Sequence, residues 1–390
     1  MRKFFIKYIS CCLVVMLLLG LSVMPASAAG MPVGIASEAA ILMDVDSGKI
    51  LAAQNENKRL YPASVTKIMS ILLFAEALDS GKINFDTEVT ASPTACAKGG
   101  SQIWLKEGEV MTVDELMRAT VIGSANDACT ALAELVAGSE GAFVTMMNDK
   151  AAELGMTNTH FENCTGLDDT AEKHLTTAKD IAIMSRSLLS HKWITKYTTV
   201  WMDTLRNGAT ELTNTNKLVR FYEGTTGLKT GTTSKAGSCL SASAERNGTH
   251  LIAVVMNAPT SQSRFDDAKA LLGWGFSNYT NVSLEVDPSL IVPVNVKHAL
   301  TTRIMPVIPE QKSVLVPIAA KDNIDQKVTL SVDVYAPVTK GQVLGKVEFF
   351  ANNELVGEVN LTSPVEVKQI TFIEAVKLFL GSLTKLFDIP

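Results

Sequence analysis

Hydrophobic positions in the first half of the chain follow two different periods. Residues 38–57, EAAILMDVDSGKILAAQNEN, hold two apolar runs around an Asp-Ser-Gly turn, which predicts an antiparallel β-hairpin. In residues 62–81 apolar side chains recur every three or four positions, which predicts a helix that follows a proline and ends at a glycine. The same spacing in residues 112–155 and 177–190 predicts further helices.

The second half of the chain is dominated by strand patterns. Asn247 and Gly248 separate two alternating runs and predict another hairpin, and a helix is expected over residues 264–279. We therefore expect residues 29–281 to form an α/β domain in which helices cover an antiparallel sheet. Short valine-rich runs separated by turns fill residues 282–366 and predict a small all-β domain, a β-sandwich.

Residues 1–28 have the character of a secretory signal peptide. Three basic residues precede the apolar run CCLVVMLLLGLSVM, and Ala-Ser-Ala closes the segment. This order predicts cleavage near Ala29 and export of the rest of the chain. An uncleaved membrane anchor is the alternative, although the apolar run is shorter than a bilayer requires.

Composition and charge exclude several classes of function. The chain is 47% hydrophobic and 19% charged, as in ordinary globular domains, and its formal net charge is −5. Without a basic stripe, nucleic acid is not an expected partner. Neither the histidines nor the cysteines show metal-ligand spacing, so no metal and no cofactor are expected. We predict buried free thiols, with a disulfide as the alternative, for Cys96, Cys129, Cys164 and Cys239.

The sequence PASVTK places Ser64 and Lys67 three positions apart at the start of a predicted helix. A serine hydroxyl is a poor nucleophile until a neighbouring base takes its proton, and a lysine can be that base when burial lowers its pKa. The alternative is structural, because serine also caps helices well. The same spacing recurs at Ser382 and Lys385, so spacing alone does not decide.

Two further motifs favour the catalytic interpretation. Ser-Ala-Asn begins at Ser124 and Lys-Thr-Gly begins at Lys229, in the order found in penicillin-binding proteins and serine β-lactamases. In that chemistry Lys229 supplies a positive field, and Ser124 relays a proton to the leaving group. Asn126 would hold Lys67 and an amide of the substrate.

The residues around Lys-Thr-Gly are candidates for substrate binding. Thr230 and Gly231 lie on a predicted strand whose edge can align an extended peptide. The backbone N–H groups of Ser64 and Thr232 would form an oxyanion hole.

Two charged residues, Arg264 and Asp127, lie near the motifs in the predicted fold. Arg264, at the start of the last helix of the α/β domain, either grips the terminal carboxylate of a substrate or is solvated. We interpret Asp127, beside Asn126, as a residue of the helix surface.

With these motifs the chain resembles the low-molecular-mass D-alanyl-D-alanine carboxypeptidases, which are bacterial penicillin-binding proteins. It is similar to the sporulation-linked types and to those of the penicillin-binding protein 5 kind. The resemblance covers the chain from signal to tail. Cys164, where a proline is common, and Thr232, where some members have histidine, are the departures. The similar stretches are PASVTKIMS, NDACTALAE, NCTGLDD, HLTTAKDIA, NTNKLV and GLKTGTTSKAGSCL.

The resemblance implies the fold of the serine β-lactamases and DD-peptidases and a serine-type enzyme. Such an enzyme removes the terminal D-alanine from peptidoglycan stem pentapeptides through an acyl-enzyme, here on Ser64. It also implies binding of β-lactam antibiotics and a place at the outer face of the cytoplasmic membrane or in the cell wall. The catalytic roles of the family carry over to Ser64, Lys67, Ser124, Asn126 and Lys229.

Residues 367–390 return to helical spacing, with apolar residues on one face and polar interruptions that argue against a membrane span. We predict an amphipathic helix lying on the membrane surface, as the resemblance also implies. Ser382 and Lys385 would then belong to its polar surroundings. A helix docked on the β-domain is the alternative.

Other functions are less well supported by the sequence. A class A β-lactamase would carry a Glu-x-x-Leu-Asn pattern between the second and third motifs and would lack the β-domain and the tail. A Ser-His-Asp hydrolase would need a Gly-x-Ser-x-Gly elbow, which the chain lacks. A non-catalytic wall-binding protein that kept the fold is the remaining alternative, and such a relic would be expected to have lost a motif residue.

Overall fold

The computed structural model describes residues 31–309 and 313–387, so the predicted signal peptide, residues 1–28, lies outside the described residues. The first part of the structure is built on a five-stranded antiparallel sheet with the strand order β2-β1-β9-β8-β7. These strands are β1 (Ala39–Asp44), β2 (Ile50–Gln54), β7 (Thr225–Thr233), β8 (Gly237–Arg246) and β9 (Thr249–Ala258). Two short hairpins lie outside this sheet, β3 (Glu88–Thr90) with β4 (Val110–Thr112) and β5 (Met202–Leu205) with β6 (Thr210–Thr213).

Strand β1 is apolar along almost its whole length because both of its faces are buried. Ile41 and Met43 belong to a large core shared with helices, whereas Ala40 and Leu42 belong to a second core on the opposite face. Both predicted hairpins are confirmed, since β1 pairs with β2 and β8 pairs with β9. Gly248, in the turn between β8 and β9, has a φ of +74°, which a residue without a Cβ adopts freely.

Helices cover both faces of the sheet, as the sequence predicts. α6 packs against one face and α9 against the other, and α1 is apolar on nearly all sides because it lies inside the helical core. The helices are α1 (Lys67–Asp79), α2 (Pro93–Cys96), α3 (Val113–Val121), α4 (Asn126–Ala137), α5 (Glu140–Glu153), α6 (Ala178–Ser190), α7 (Thr195–Thr198), α8 (Leu218–Phe221) and α9 (Ser261–Asn278).

Helix α9 begins three residues earlier than expected. The hydroxyl of Thr260 accepts a hydrogen bond from the backbone N–H of Ser263 at 3.0 Å, and the Ser263 hydroxyl accepts one from the N–H of Thr260 at 3.0 Å. This reciprocal cap fixes the start of the helix at Ser261. Arg264 therefore lies within the first turn of the helix and not before it.

The part of the chain after residue 282 is an all-β structure, which confirms that part of the predicted fold. Its strands form three small sheets, and their buried apolar side chains gather in three separate clusters, which include Val296, Phe349 and Val316 respectively. The strands are β10 (Tyr279–Ser283), β11 (Val294–Lys297), β12 (Arg303–Ile304), β13 (Ser313–Pro317), β14 (Ile324–Leu330), β15 (Asp333–Tyr335), β16 (Val343–Ala351) and β17 (Glu354–Thr362).

The chain ends in the predicted helix, α10 (Phe372–Phe387). Thr371 and Glu374 start it with a reciprocal pair of hydrogen bonds, in which the Glu374 carboxylate accepts from the N–H of Thr371 at 2.8 Å. Apolar side chains of the helix are exposed, among them Phe372 at 83% and Ile373 at 67%. Among the described residues, none of the helices is both long enough and apolar enough to cross a membrane.

The cysteines in the described residues are free thiols, as predicted. Cys129, Cys164 and Cys239 are buried, whereas Cys96 is half-buried.

Candidate active site

Ser64 lies in a single turn of 3-10 helix, Ala63–Thr66, that leads directly into α1. The alternative that Ser64 caps this helix is wrong, because no side chain caps either helix start. The Ser64 hydroxyl accepts instead a hydrogen bond from the Nζ of Lys67 at 3.0 Å. The proposed nucleophile and its proposed base are therefore in direct contact, which is the arrangement that nucleophilic catalysis needs.

Lys67 is fully buried, at 0% exposure, and its Nζ has three oxygen partners. These are the Ser64 hydroxyl at 3.0 Å, the side-chain oxygen of Asn126, and the carbonyl of Thr165 at 3.0 Å. Burial lowers the pKa of Lys67 from 10.5 to about 8, since the charged form loses its hydration. Roughly a tenth of the amine is therefore neutral at pH 7, far more than for an exposed lysine, and a general base needs this neutral form.

The carbonyl of Thr165 is a partner of Lys67 that sequence reasoning missed. It is held by a tight turn in which the side-chain oxygen of Asn163 accepts from the N–H groups of Thr165 at 3.1 Å and Gly166 at 2.7 Å. Gly166 has a φ of +87°, and a Cβ there would lie 1.8 Å from the carbonyl oxygen of Ala63. The Asn-Cys-Thr-Gly stretch was the available signal, because it reads as such a turn.

Asn126 and Ser124 lie at the start of α4. The Asn126 side chain is held from both ends, since its oxygen accepts from Lys67 and its nitrogen donates to the carbonyl of Gly99 at 2.6 Å. Ser124 is buried at 4% exposure with a φ of +62°, an unfavourable backbone conformation for serine. Within residues 31–309 and 313–387, no hydrogen bond joins the Ser124 hydroxyl to Ser64, Lys67 or Lys229.

Lys229 lies on β7 and is buried at 1% exposure. Its Nζ donates to the carbonyl of Thr230 at 3.1 Å. Burial lowers the pKa of Lys229 well below its usual value, and the charges of Lys67 and Arg264 add to this effect. The two lysines of the motifs thus share one buried region, where each disfavours the positive charge of the other.

Strand β7 passes directly beside the turn that carries Ser64. A Cβ on Gly231 would lie 2.7 Å from the carbonyl oxygen of Pro62 and 2.8 Å from the backbone nitrogen of Ser64. Only glycine permits this approach, which explains the glycine of the Lys-Thr-Gly motif. The hydroxyl of the neighbouring Thr230 donates to the Thr215 hydroxyl at 2.7 Å and so ties β7 to the segment before α8.

Arg264 is buried at 7% exposure, so the alternative that it is solvated is wrong. Its guanidinium donates to the carbonyl of Gly231 at 3.0 Å, to the Thr232 hydroxyl at 2.8 Å, and to the Ser261 hydroxyl at 3.1 Å. The early start of α9 turns Arg264 toward β7. The residue therefore holds β7 in place and orients the hydroxyl of Thr232.

Asp127 is also buried, at 0% exposure, so its assignment to the helix surface is wrong. Its carboxylate accepts hydrogen bonds from the backbone N–H of Ile103 at 3.2 Å and of Leu105 at 3.0 Å. A buried carboxylate is costly unless it is hydrogen-bonded, and two loop amides meet that requirement here.

A second group that the motifs did not predict lies beneath the Ser64 turn. The Nδ1 of the buried His174 accepts from the backbone N–H of Glu162 at 3.0 Å, so its proton is on Nε2, which donates to the Thr66 hydroxyl at 2.8 Å. Burial lowers the pKa of His174 to about 4, which keeps the ring neutral. It is a core histidine.

Comparison with known families gives the class of protein. A family model described as D-alanyl-D-alanine carboxypeptidase matches residues 25–260, and one described as the C-terminal domain of penicillin-binding protein 5 matches residues 282–369. The chain belongs to the D-alanyl-D-alanine carboxypeptidase family, and it is an enzyme of that class rather than a β-lactamase or a wall-binding relic.

Individual relatives agree with this assignment. The D-alanyl-D-alanine carboxypeptidase DacF of Bacillus subtilis is 40% identical over 353 residues, which cover 90% of each chain. The crystal structure of penicillin-binding protein 5 from Haemophilus influenzae is 31% identical with a TM-score of 0.77, covering 87% of this chain and 99% of that one. Penicillin-binding protein D2 from Listeria monocytogenes, solved in its ampicillin-bound form, is 32% identical with a TM-score of 0.58, covering 63% of this chain and 98% of that one.

Proposed function

We propose that this protein hydrolyses the bond between the two terminal D-alanine residues of peptidoglycan stem pentapeptides through an acyl-enzyme on Ser64. The observation that carries the proposal is the buried amine of Lys67 at 3.0 Å from the Ser64 hydroxyl. Membership of the carboxypeptidase family supports the reaction class. The activity for which the Bacillus subtilis relative is named, D-alanyl-D-alanine carboxypeptidase, supports the substrate class.

Acylation begins when neutral Lys67 accepts the proton of the Ser64 hydroxyl. The Ser64 oxygen attacks the carbonyl carbon of the penultimate D-alanine, and the N–H groups of Ser64 and Thr232 stabilise the oxyanion that forms. A proton passed through Ser124 to the nitrogen of the last D-alanine lets the C–N bond break, which releases D-alanine and leaves an ester on Ser64. Water then attacks this ester while Lys67 takes a proton from it. Lys67 returns that proton to the Ser64 oxygen as the ester C–O bond breaks, which releases the shortened peptide and restores the enzyme.

The substrate peptide would bind along the open edge of β7. In the five-stranded sheet this strand pairs with β8 alone, so its other edge offers main-chain groups to an extended peptide. Lys229 and the Thr232 hydroxyl lie toward the end that meets the terminal carboxylate. Arg264 acts through Thr232, which it holds at 2.8 Å, and its own charge adds to the attraction for an anion.

We predict that the enzyme transfers the acyl group to water and not to a second peptide. Incubating it with a D-alanyl-D-alanine pentapeptide and an amine acceptor should give mostly the tetrapeptide and free D-alanine, measured by chromatography and mass spectrometry. The support is family membership, since the geometry of Ser64 suits both reactions. A predominance of the aminolysis product would contradict hydrolysis as the physiological reaction.

We further propose that the protein is exported and that α10 holds it at the outer face of the cytoplasmic membrane. The composition of residues 1–28 supports export. The exposed apolar side chains of α10 support the anchor, because a helix docked on the β-domain would bury them. Those described with at least half of their surface exposed are Phe372, Ile373, Leu378, Phe379 and Leu380. Such a helix lies in the interfacial plane of a bilayer.

Deleting residues 369–390 should release the enzyme from lipid vesicles without lowering its activity on a short soluble peptide. The reason is that α10 holds the exposed apolar face, whereas Ser64 lies in the first domain. Co-sedimentation with vesicles and D-alanine release measure the two effects. Full-length protein with Lys377→Gln is the matched control and should still sediment. A truncated protein that stays with the vesicles would exclude α10 as the anchor.

A further inference from the structure

Trp104 is the most exposed aromatic side chain in the described part of the first domain, at 74% exposure. It lies in residues 98–109, which we call the rim loop. Its neighbours Ile103 and Leu105 are buried at 4% and 6%, so the chain turns apolar side chains inward on either side of Trp104 and presents the indole to solvent. Trp104 has a φ of +59°, which is unfavourable for a residue with a bulky side chain.

Buried and partly buried charges hold the rim loop in this conformation. The Asp127 carboxylate binds the N–H groups on both sides of Trp104, those of Ile103 and Leu105. From the hairpin β5–β6, the Arg206 guanidinium donates to the carbonyl of Ile103 at 2.8 Å and makes two parallel hydrogen bonds to the Glu109 carboxylate at 2.7 and 3.1 Å. The backbone that carries the exposed indole is therefore held in place.

The rim loop is continuous with the active site. The carbonyl of Ser101 accepts from the backbone N–H of Asn126 at 2.7 Å, and the carbonyl of Gly99 accepts from the Asn126 side chain. Trp104 is three residues beyond Ser101, so it lies within roughly a dozen Å of the Asn126 backbone. A stem peptide extended upstream from Ser64 advances about 3.3 Å per residue, so its three residues before the acylated D-alanine span a comparable distance.

We propose that Trp104 is a binding subsite for a sugar ring of the glycan to which the stem peptide is attached; this rests on the proposed function. A rigid, exposed indole offers a flat apolar face that suits the C–H face of a pyranose. Exposed hydroxyl and carboxylate groups of the same loop, on Ser101 and Glu107, suit the hydroxyls of the sugar. Asp127 and Arg206 are positioning residues for this subsite.

The test compares two substrates that end in D-alanyl-D-alanine, a free pentapeptide and the same pentapeptide on its disaccharide. Trp104→Ala should lower kcat/KM on the disaccharide substrate about tenfold, mainly through a higher KM, because a stacked ring is lost. The same variant should retain wild-type kcat/KM on the free pentapeptide and wild-type rates of acylation by penicillin. Trp104→Phe should recover most of the loss. Tyr335→Ala, which removes a 59% exposed aromatic ring from the β-domain, is the matched control and should change neither substrate.

Three results would overturn the subsite. An equal loss on both substrates would show that Trp104 binds the peptide or supports the structure. An unchanged kcat/KM on the disaccharide substrate would show that the indole binds no sugar, and so would a loss that Trp104→Phe does not recover. Failure of the proposed function is distinguishable from all of these, because the wild-type enzyme would then release D-alanine from neither substrate.

Discussion

Ser64→Ala should abolish both covalent labelling by penicillin and release of D-alanine. The acyl group has no other attachment point in the proposed mechanism, and loss of a nucleophile typically lowers the rate by roughly 10³-fold or more. A fluorescent penicillin measures labelling on a gel, and mass spectrometry of a digest of the wild-type protein should find the adduct on the peptide that contains Ser64. The substitution removes only a half-buried hydroxyl, so the variant should remain folded.

Ser382→Ala is the matched control for this experiment, because Ser382 and Lys385 repeat the Ser-x-x-Lys spacing in the tail. That variant should label and release D-alanine like the wild type. Labelling that survives Ser64→Ala, or that disappears in Ser382→Ala, would place the nucleophile elsewhere.

Replacing either motif lysine by alanine should leave a folded protein with little activity. Lys67→Ala removes the base that contacts the Ser64 hydroxyl, and loss of a general base typically costs about 10²–10⁴-fold. Lys229→Ala removes a buried amine from β7 and should lower activity through weaker binding of the substrate carboxylate and poorer proton transfer. Circular dichroism checks folding. Lys58→Ala, which removes a lysine that is about half exposed, is the control and should retain full activity.

The pH profile of acylation tests the role of Lys67 as a base. Lys67 has a pKa of about 8 and acts as a base in its neutral form. The rate of acylation of the wild-type protein by penicillin should therefore rise with pH up to about 8 and level off above it, since protonated Lys67 cannot accept a proton. Lys67→Ala should lose this dependence.

For the two alanine variants themselves, wild-type activity in either one would refute the role proposed for that lysine.

The side chains to which we assign catalytic roles are predictable from sequence because each belongs to a short local motif. Ser64 and Lys67 lie one turn apart, and the spacing alone brings their functional groups together once the turn and α1 form. The Lys-Thr-Gly motif is also local in sequence, and its glycine, Gly231, is the residue that lets β7 approach Ser64. The fold class followed from hairpin and helix patterns of the same local kind.

The remaining contacts depend on which distant segments meet. The third partner of Lys67 is the carbonyl of Thr165, and although the Asn-Cys-Thr-Gly stretch indicates the turn that holds it, no sequence pattern shows that this turn lies against Lys67. Asp127 reads as a surface residue because the loop amides that bind it lie more than twenty positions earlier in the chain. The sequence leaves two alternatives open for Arg264, because no pattern in α9 itself shows that this residue of the first turn faces β7.

The hydrogen-bonding groups along the open edge of β7 belong to the main chain. Every amino acid supplies them, except that proline lacks the N–H. A point mutation therefore has few ways to remove these groups. We expect a mutation in β7 that weakens binding of a β-lactam antibiotic to change the distance between β7 and Ser64 instead. At Gly231 a Cβ would already lie 2.7 Å from the backbone of Pro62, so a substitution there forces the gap to widen. A greater distance between β7 and Ser64 would weaken binding of the D-alanyl peptide as well as binding of the drug. If the peptide and the drug both bind at this edge as proposed, we expect a Gly231 variant that resists the drug to lose D-alanine release as well.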